Sequence, residues 1–155
     1  MSSALIHVRQ AAVDDAPIVI DLTQRLLIEL GGFQTGDPAA LIAFCVQLLV
    51  SDHYTAFLAC DTTGSPLGLL TLHEVSALYV AGHLGWIQEL YVAPDARSLG
   101  VGQQLIAAAQ AYGRERGWQR LEVNTPDADA WPRTVAFYRR EGFQGNSYHL
   151  RIPIA

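Results

Sequence analysis

Trp86-Ile-Gln-Glu-Leu-Tyr-Val-Ala-Pro-Asp95, followed closely by Arg97-Ser-Leu-Gly-Val-Gly102, decides how this chain is read. Ile87, Leu90, Tyr91 and Val92 favour a strand, and Pro94 ends it because proline has no N–H to give to a ladder. From Val101, apolar residues recur at Leu105, Ala108, Ala109 and Tyr112, the spacing of one helical face, and Gly117 offers a stop. The stretch predicts a strand, a tight glycine-containing turn and a helix. A helix start leaves N–H groups unpaired and carries about half a positive charge. Gly100 and Gly102 let those groups come close to something bulky, so the corner suits a phosphate.

Working outward, Leu5 to Arg9 alternates as a first strand. Asp14 or Asp15 can cap a helix running to about Leu30, with Ile18, Leu22, Leu26 and Leu30 on one face. Asp37-Pro38 starts a second helix to about Val50. Tyr54 to Cys60 and Pro66 to Val75 read as strands joined through Asp61 to Ser65, and Ala77 to Leu84 as strand or loop. Beyond the central unit come a strand over Arg120 to Thr125, a loop to Pro132, and a helix over Arg133 to Glu141 that Gly142 stops. Phe143 onwards predicts one or two last strands, through Gln144-Gly-Asn146. This order belongs to the α/β class: a mixed sheet covered by helices on both faces, with a right-handed parallel strand–helix–strand unit at 86–125.

The chain has 155 residues, the size of one domain spanning 1–155. At 50% hydrophobic and 16% charged residues, it should fold without metal or disulfide staples. A net charge of -5 and a pI near 5.4 argue mildly against a nucleic-acid partner. Cys45 and Cys60 sit in apolar runs and read as buried reduced thiols of a cytosolic protein, with a disulfide unsupported. No signal peptide is evident, and the apolar run Ala40 to Val50 is too short to span a bilayer, so the expectation is a cytoplasmic protein with no membrane partner. The five histidines show no paired spacing suited to a metal.

Leu90-Tyr-Val92, Arg97-x-x-Gly100-x-Gly102, the helix and strand that follow, and Phe137-Tyr-Arg-Arg-Glu-Gly-Phe143 together resemble the GNAT superfamily of acyl-CoA-dependent N-acyltransferases. The resemblance covers most of the chain in element order and residues 86–143 in motif detail. It implies a GNAT fold with a central, mostly antiparallel mixed sheet, and acetyl-CoA as donor and sole cofactor. The donor would lie where the Trp86–Val92 and Arg120–Thr125 strands splay apart. Its pantetheine would pair along Leu90, Tyr91 and Val92 as an added strand would. The N–H groups of Ser98, Leu99, Gly100, Val101, Gly102 and Gln103 would hold the pyrophosphate. Arg97 would neutralise phosphate charge or simply be solvated. One departure stands out: the family asparagine seven residues before the tyrosine is here Trp131, followed by Pro132.

Acyl transfer from a thioester to an amine has two proton problems. An alkylammonium, with a pKa of about 10.4, must lose a proton to attack, and a thiol of pKa about 8.5 leaves better protonated. Tyr138 matches the family tyrosine beside the cofactor sulfur and is the candidate acid, against a reading as a core tyrosine. Glu89, the only carboxylate on the central strand, is the candidate base, directly or through water. Strand alternation points Glu89 and Val92 to opposite faces unless a bulge intervenes, which would leave Gln88 on the face of Val92. A backbone N–H near Tyr91–Val92 is the candidate oxyanion donor.

The acceptor expected is a primary amine of a small molecule. A peptide amine and a non-catalytic acyl-CoA sensor are the alternatives. Its pocket is expected from the Gly31–Gly36 loop, the His73–Leu84 segment and the Pro126–Pro132 loop. His73 or His83 would line it or be plain surface; Asp127, Asp129 and Glu74 would attract a cation or be solvated. Ala77–Val80 would form a homodimer contact or be buried in the core.

Overall fold

The structure, a computed structural model, describes residues 5–32, 36–146 and 149–154. The first strand is β1 (His7–Gln10), followed by helices α1 (Ala16–Glu29) and α2 (Pro38–Val50). Strands β2 (Tyr54–Cys60), β3 (Pro66–Ala77) and β4 (Gly82–Val92) come next. Helix α3 (Val101–Arg116), strand β5 (Leu121–Val123) and helix α4 (Pro132–Arg140) complete the regular elements among the described residues. The sheet runs in the order β1-β2-β3-β4-β5, antiparallel through β4 and parallel only between β4 and β5. This is the mixed, mostly antiparallel sheet that the sequence implies.

Both faces of the sheet are covered, and β2 shows why. Tyr54, Ala56, Leu58 and Cys60 pack with Ala16, Val19 and Leu22 of α1 and Cys45 of α2, while Phe57 and Ala59 pack with Val101, Leu105 and Ala109 of α3. Alternation along the strand sends one set each way. The most deeply buried side chains are Leu58, Leu69, Leu70, Leu72, Leu84 and Leu105. Each contributes about 1.5–3 kcal/mol relative to exposure, so the sheet and α3 dominate the stability. Cys45 and Cys60 are buried and free.

Several local expectations change. Asp15 sits at the start of α1 but makes no capping bond there. Its carboxylate instead accepts from the Ala12 N–H at 2.8 Å and from both ends of the Arg9 guanidinium at 2.7 and 2.9 Å. The bidentate Arg9 guanidinium and the Ala12 N–H together occupy the carboxylate, and Arg9 first among them holds the Asp15 carboxyl below the ordinary range. Asp37 does cap α2, accepting from the Ala40 N–H at 3.0 Å. Ala77 to Leu84 is neither plain strand nor plain loop: β3 runs to Ala77, a 3₁₀ turn covers Leu78–Val80, and β4 starts at Gly82. Leu78 at that tip is 99% exposed, which removes core burial as the reason for its apolar character.

The last strands expected from Phe143 are not formed among the described residues, Ser147 and Tyr148 lying outside them. β5 is three residues long, shorter than the Arg120–Thr125 expected. No helix among the described residues is long and apolar enough to cross a membrane.

Candidate active site

Strand β4 pairs with β5 only from Gly85 to Ile87. From Gln88 to Val92 its outer edge has no strand partner among the described residues. A cleft of about 1100 Å³ opens at the Trp86–Gln88 end of that edge, lined by Gln88, Asn124, Thr125, Asp127 and Asp129. A second cavity of about 860 Å³ adjoins it, sharing Trp86 and Asn124 and bounded by Val123, Tyr138 and Phe143. β5 ends at Val123 with all three of its residues paired, so the opening beside β4 comes from the shortness of β5.

Leu90 and Val92 pack on the α3 side of the sheet, and Tyr91 packs on the α1 side. Their side chains are committed to the two cores, and none of the three lines the cleft, which meets β4 at Trp86, Ile87 and Gln88. The ladder between β3 and β4 skips at this point: Thr71 stands opposite Glu89, and Leu72 opposite Ile87. Gln88 is thus a bulge residue, and it is exposed toward the cleft. The bulge lies before Glu89 rather than between Glu89 and Val92, so those two still face opposite ways. What the bulge changes is Ile87, which joins Leu90 and Val92 on the α3 face.

Glu89 is half-buried. The Thr71 hydroxyl donates to its carboxylate, and the Glu89 N–H donates to Thr71 Oγ1 at 3.0 Å. Burial raises the Glu89 pKa above the ordinary carboxyl value, and the Thr71 bond offsets part of that rise. A carboxyl shifted upward is a better match to a proton acceptor working near neutral pH.

Tyr138, on α4, is 6% exposed. Its ring meets Phe137 and Phe143 edge-on at centroid distances of 5.3 and 5.4 Å. Burial pushes its phenol pKa above the ordinary value, so it stays protonated at neutral pH. Glu89 and Tyr138 are not in contact: one is bonded to β3, the other lines the cavity beneath α3 and α4.

At the corner after β4, Gly100 has φ +78, a left-handed conformation, with open space where a Cβ would stand. Glycine adopts this conformation at no steric cost. The Gln104 N–H donates back to the Gly100 carbonyl at 3.1 Å as the first helical bond, so the N–H groups of Val101, Gly102 and Gln103 open outward from the end of α3. Ser98 and Leu99 are exposed beside them. Gly102 serves a different purpose: a Cβ there would meet the Phe137 ring at 2.9 Å, so its smallness seats α4 against α3. Arg97 points elsewhere, with Nε donating to the Val92 carbonyl at 2.9 Å and Nη2 to Glu29 at 2.6 Å.

The residues expected around the acceptor divide. Asp127 and Asp129 line the cleft, and Asp127 accepts from the Asp129 N–H at 2.9 Å. Glu74 is neither solvated nor near the cleft; it accepts from Arg116 Nε at 2.8 Å, Trp118 Nε1 at 2.6 Å and His53 Nδ1 at 3.0 Å. His73 packs edge-on to Tyr54 on the α1 face, and His83 pairs with Ser76 Oγ at 3.0 Å. Of the Gly31–Gly36 loop, Phe33 to Thr35 lie outside the described residues. Trp131 occupies the N-terminal position of α4 without a side-chain cap, and Asn124 bonds His149 Nδ1 at 2.8 Å at the cleft wall. Among the described residues no group of three or more His, Cys, Asp or Glu is gathered to hold a metal ion.

Thr71 was not legible as a site residue, although one signal existed: it is the lone polar residue within Leu69-Leu-Thr-Leu72. Only register brings it to Glu89.

Comparison with known proteins bears on the fold and the family. The Acetyltransferase (GNAT) family profile matches residues 21–143. An aminoalkylphosphonate N-acetyltransferase of Salmonella typhimurium is 31% identical over 93% of this chain and 88% of its own length. An aminoglycoside acetyltransferase from an uncultured soil metagenomic sample, solved with sisomicin, superposes with a TM-score of 0.80 at 21% identity, covering 97% of each chain. A predicted acetyltransferase of Clostridium acetobutylicum, solved with acetyl-CoA, gives a TM-score of 0.80 at 16% identity, again over 97% of each chain. With the unpaired β4 edge, the glycine corner and the bulged central strand already in place, the family match settles the class: this chain is a member of the GNAT acetyltransferase family.

Proposed function

We propose that the protein acetylates the primary amine of a small molecule by direct transfer in a ternary complex. The observation that carries this reading is Glu89, a half-buried carboxyl held at a bulge beside an unpaired strand edge. The chain fits acetyl-CoA as donor: the end of α3 offers outward N–H groups for a diphosphate beside open space at Gly100, and β4 offers a free edge for an extended amide chain. When bound, acetyl-CoA supplies a thioester activated for attack.

The chain's own residues handle the protons. Glu89, directly or through a water, accepts the proton that the attacking ammonium must lose. Tyr138 keeps its proton at neutral pH and gives it to the departing sulfur. A main-chain N–H of the Tyr91–Val92 edge faces the developing oxyanion. The N–H groups from Ser98 to Gln103 anchor the diphosphate, and Arg97 joins them as an added positive charge on leaving Glu29.

The cleft carries both signs of charge, Asp127 and Asp129 against Arg139 and Arg151. That pairing suits an acceptor with an ammonium at one end and an anion at the other better than a polycation. We therefore rank an aminoalkylphosphonate, the substrate class in the name of the Salmonella relative, above an aminoglycoside. The test is CoA thiol release from acetyl-CoA with an aminoalkylphosphonate, an aminoglycoside and a peptide amine, in wild type and Glu89→Gln. Turnover is expected with the aminoalkylphosphonate and is expected to fall about 100-fold or more in Glu89→Gln. Binding of acetyl-CoA with no turnover on any amine would make the protein a sensor instead.

A further inference from the structure

Thr71 is 0% exposed, on a strand whose neighbours are leucines. A buried hydroxyl needs partners; the Tyr54 phenol lies against this one, and both of its hydrogen bonds go to a single residue. The bulge at Gln88 takes main-chain groups of β4 out of the regular ladder. Thr71 Oγ1 accepts the Glu89 N–H at 3.0 Å, while its own proton goes to the Glu89 carboxylate. One hydroxyl thus uses its donor and an acceptor lone pair to fix the backbone and the side chain of one glutamate.

We infer that Thr71 is a positioning residue for the acyl-transfer reaction: it pins the Glu89 carboxylate to the bulge in one orientation and favours its ionised form. This rests on the reading of Glu89 as the base. The reasoning is electrostatic. A half-buried carboxyl tends to stay protonated, and a protonated carboxyl takes no proton from an amine. A neutral donor aimed at it tips the balance toward the carboxylate without adding a charge.

The other groups around Glu89 do not perform this service. From β2 comes Tyr54, whose phenol is kept neutral by burial, and from β3 His73, edge-on to Tyr54. From α2 comes the Cys45 thiol, which donates weakly to the Ala16 carbonyl. α1 turns Val19, Leu22 and Leu26 to this core, while its Asp21 and Arg25 pair on the exposed face and its Glu29 engages Arg97. On β4 itself the neighbour on this face is Tyr91. Among the described residues, Thr71 alone hydrogen-bonds the Glu89 carboxylate.

Thr71→Val keeps the shape and removes the hydroxyl; Thr71→Ser keeps the hydroxyl. The experiment measures kcat/KM against pH for both variants, wild type and Glu89→Gln, and follows the Glu89 carboxyl by carbon-13 NMR in the ligand-free protein. In Thr71→Val the acidic limb is expected to move to higher pH, lowering kcat/KM about tenfold on its acid side and sparing the high-pH plateau. The NMR titration of Glu89 moves in the same direction, and Thr71→Ser restores both. An unmoved limb and titration, or an equal loss at every pH, overturns the inference and leaves Thr71 a structural residue. An acidic limb that survives in Glu89→Gln removes the base itself, a separate outcome that takes the Proposed function's proton acceptor with it. Should Thr71→Val not fold, Thr71→Ala read by the same NMR titration decides the matter.

Discussion

The Arg97 guanidinium ties the turn after β4 to the far end of α1: it lies 2.5 Å from a Glu29 carboxylate oxygen while also donating to the Val92 carbonyl. Both side chains are partly exposed, at 45% and 34%. Such a pair contributes at most about 1 kcal/mol. If Arg97 also serves the diphosphate, Glu29 competes with that anion for it. Glu29→Gln is therefore expected to bind CoA more tightly and Arg97→Ala more weakly, each with little change in melting temperature. Calorimetric titration of CoA at two salt concentrations checks this; equal affinities in all three proteins would take Arg97 out of the site.

Glu74 gathers three donors from elements far apart in the chain. Arg116, ahead of Trp118 and His53, and against the effect of burial, pulls its pKa from 4.5 to about 2. A depressed carboxyl contributes stability that is complete above its unfolded pKa and lost as pH falls through the folded one. Glu74→Gln is expected to cost about 1.5–3 kcal/mol at neutral pH. The gap to wild type should narrow steadily as pH falls from about 4.5 to about 2. Urea unfolding across that range measures it, and a gap constant with pH would contradict the ion-pair explanation.

Gly102 and Phe137 meet where α3 and α4 cross. A methyl at Gly102 would overlap the ring, so Gly102→Ala is expected to destabilise by about 1–3 kcal/mol. Because the ring shares α4 with Tyr138, turnover should fall as well. Gly102→Ala with Phe137→Leu should recover part of both losses, a coupling that additive effects would refute.

Tyr138 has its phenol held protonated by burial. Tyr138→Phe is expected to lower kcat by about 100-fold or more. CoA affinity should change little, since the hydroxyl and not the ring is removed. Unchanged turnover would return Tyr138 to the core.

Much of this was readable before any coordinates. The strand, glycine corner and helix from Trp86 to Gly117 appear where periodicity and turn residues place them, with Gly117 in a left-handed conformation at the end of α3. Those signals are local: the chemistry of a few neighbouring residues decides them. Asp37-Pro38 starts α2 for the same reason. The expected strands after Phe143 rested on weak alternation with no partner named, and a strand needs a partner to exist.

The amino-acid order by itself carried the resemblance that points to the family and nominated the corner for a diphosphate and the two candidate proton carriers, because the motifs behind them lie at short spacing. Tertiary structure alone decided that Glu89 sits behind a bulge against Thr71, 18 residues away in the chain. It alone drew Glu74 to Trp118, 44 residues distant. Cross-strand neighbours depend on register, which the packing of the whole sheet selects and no short stretch of sequence encodes.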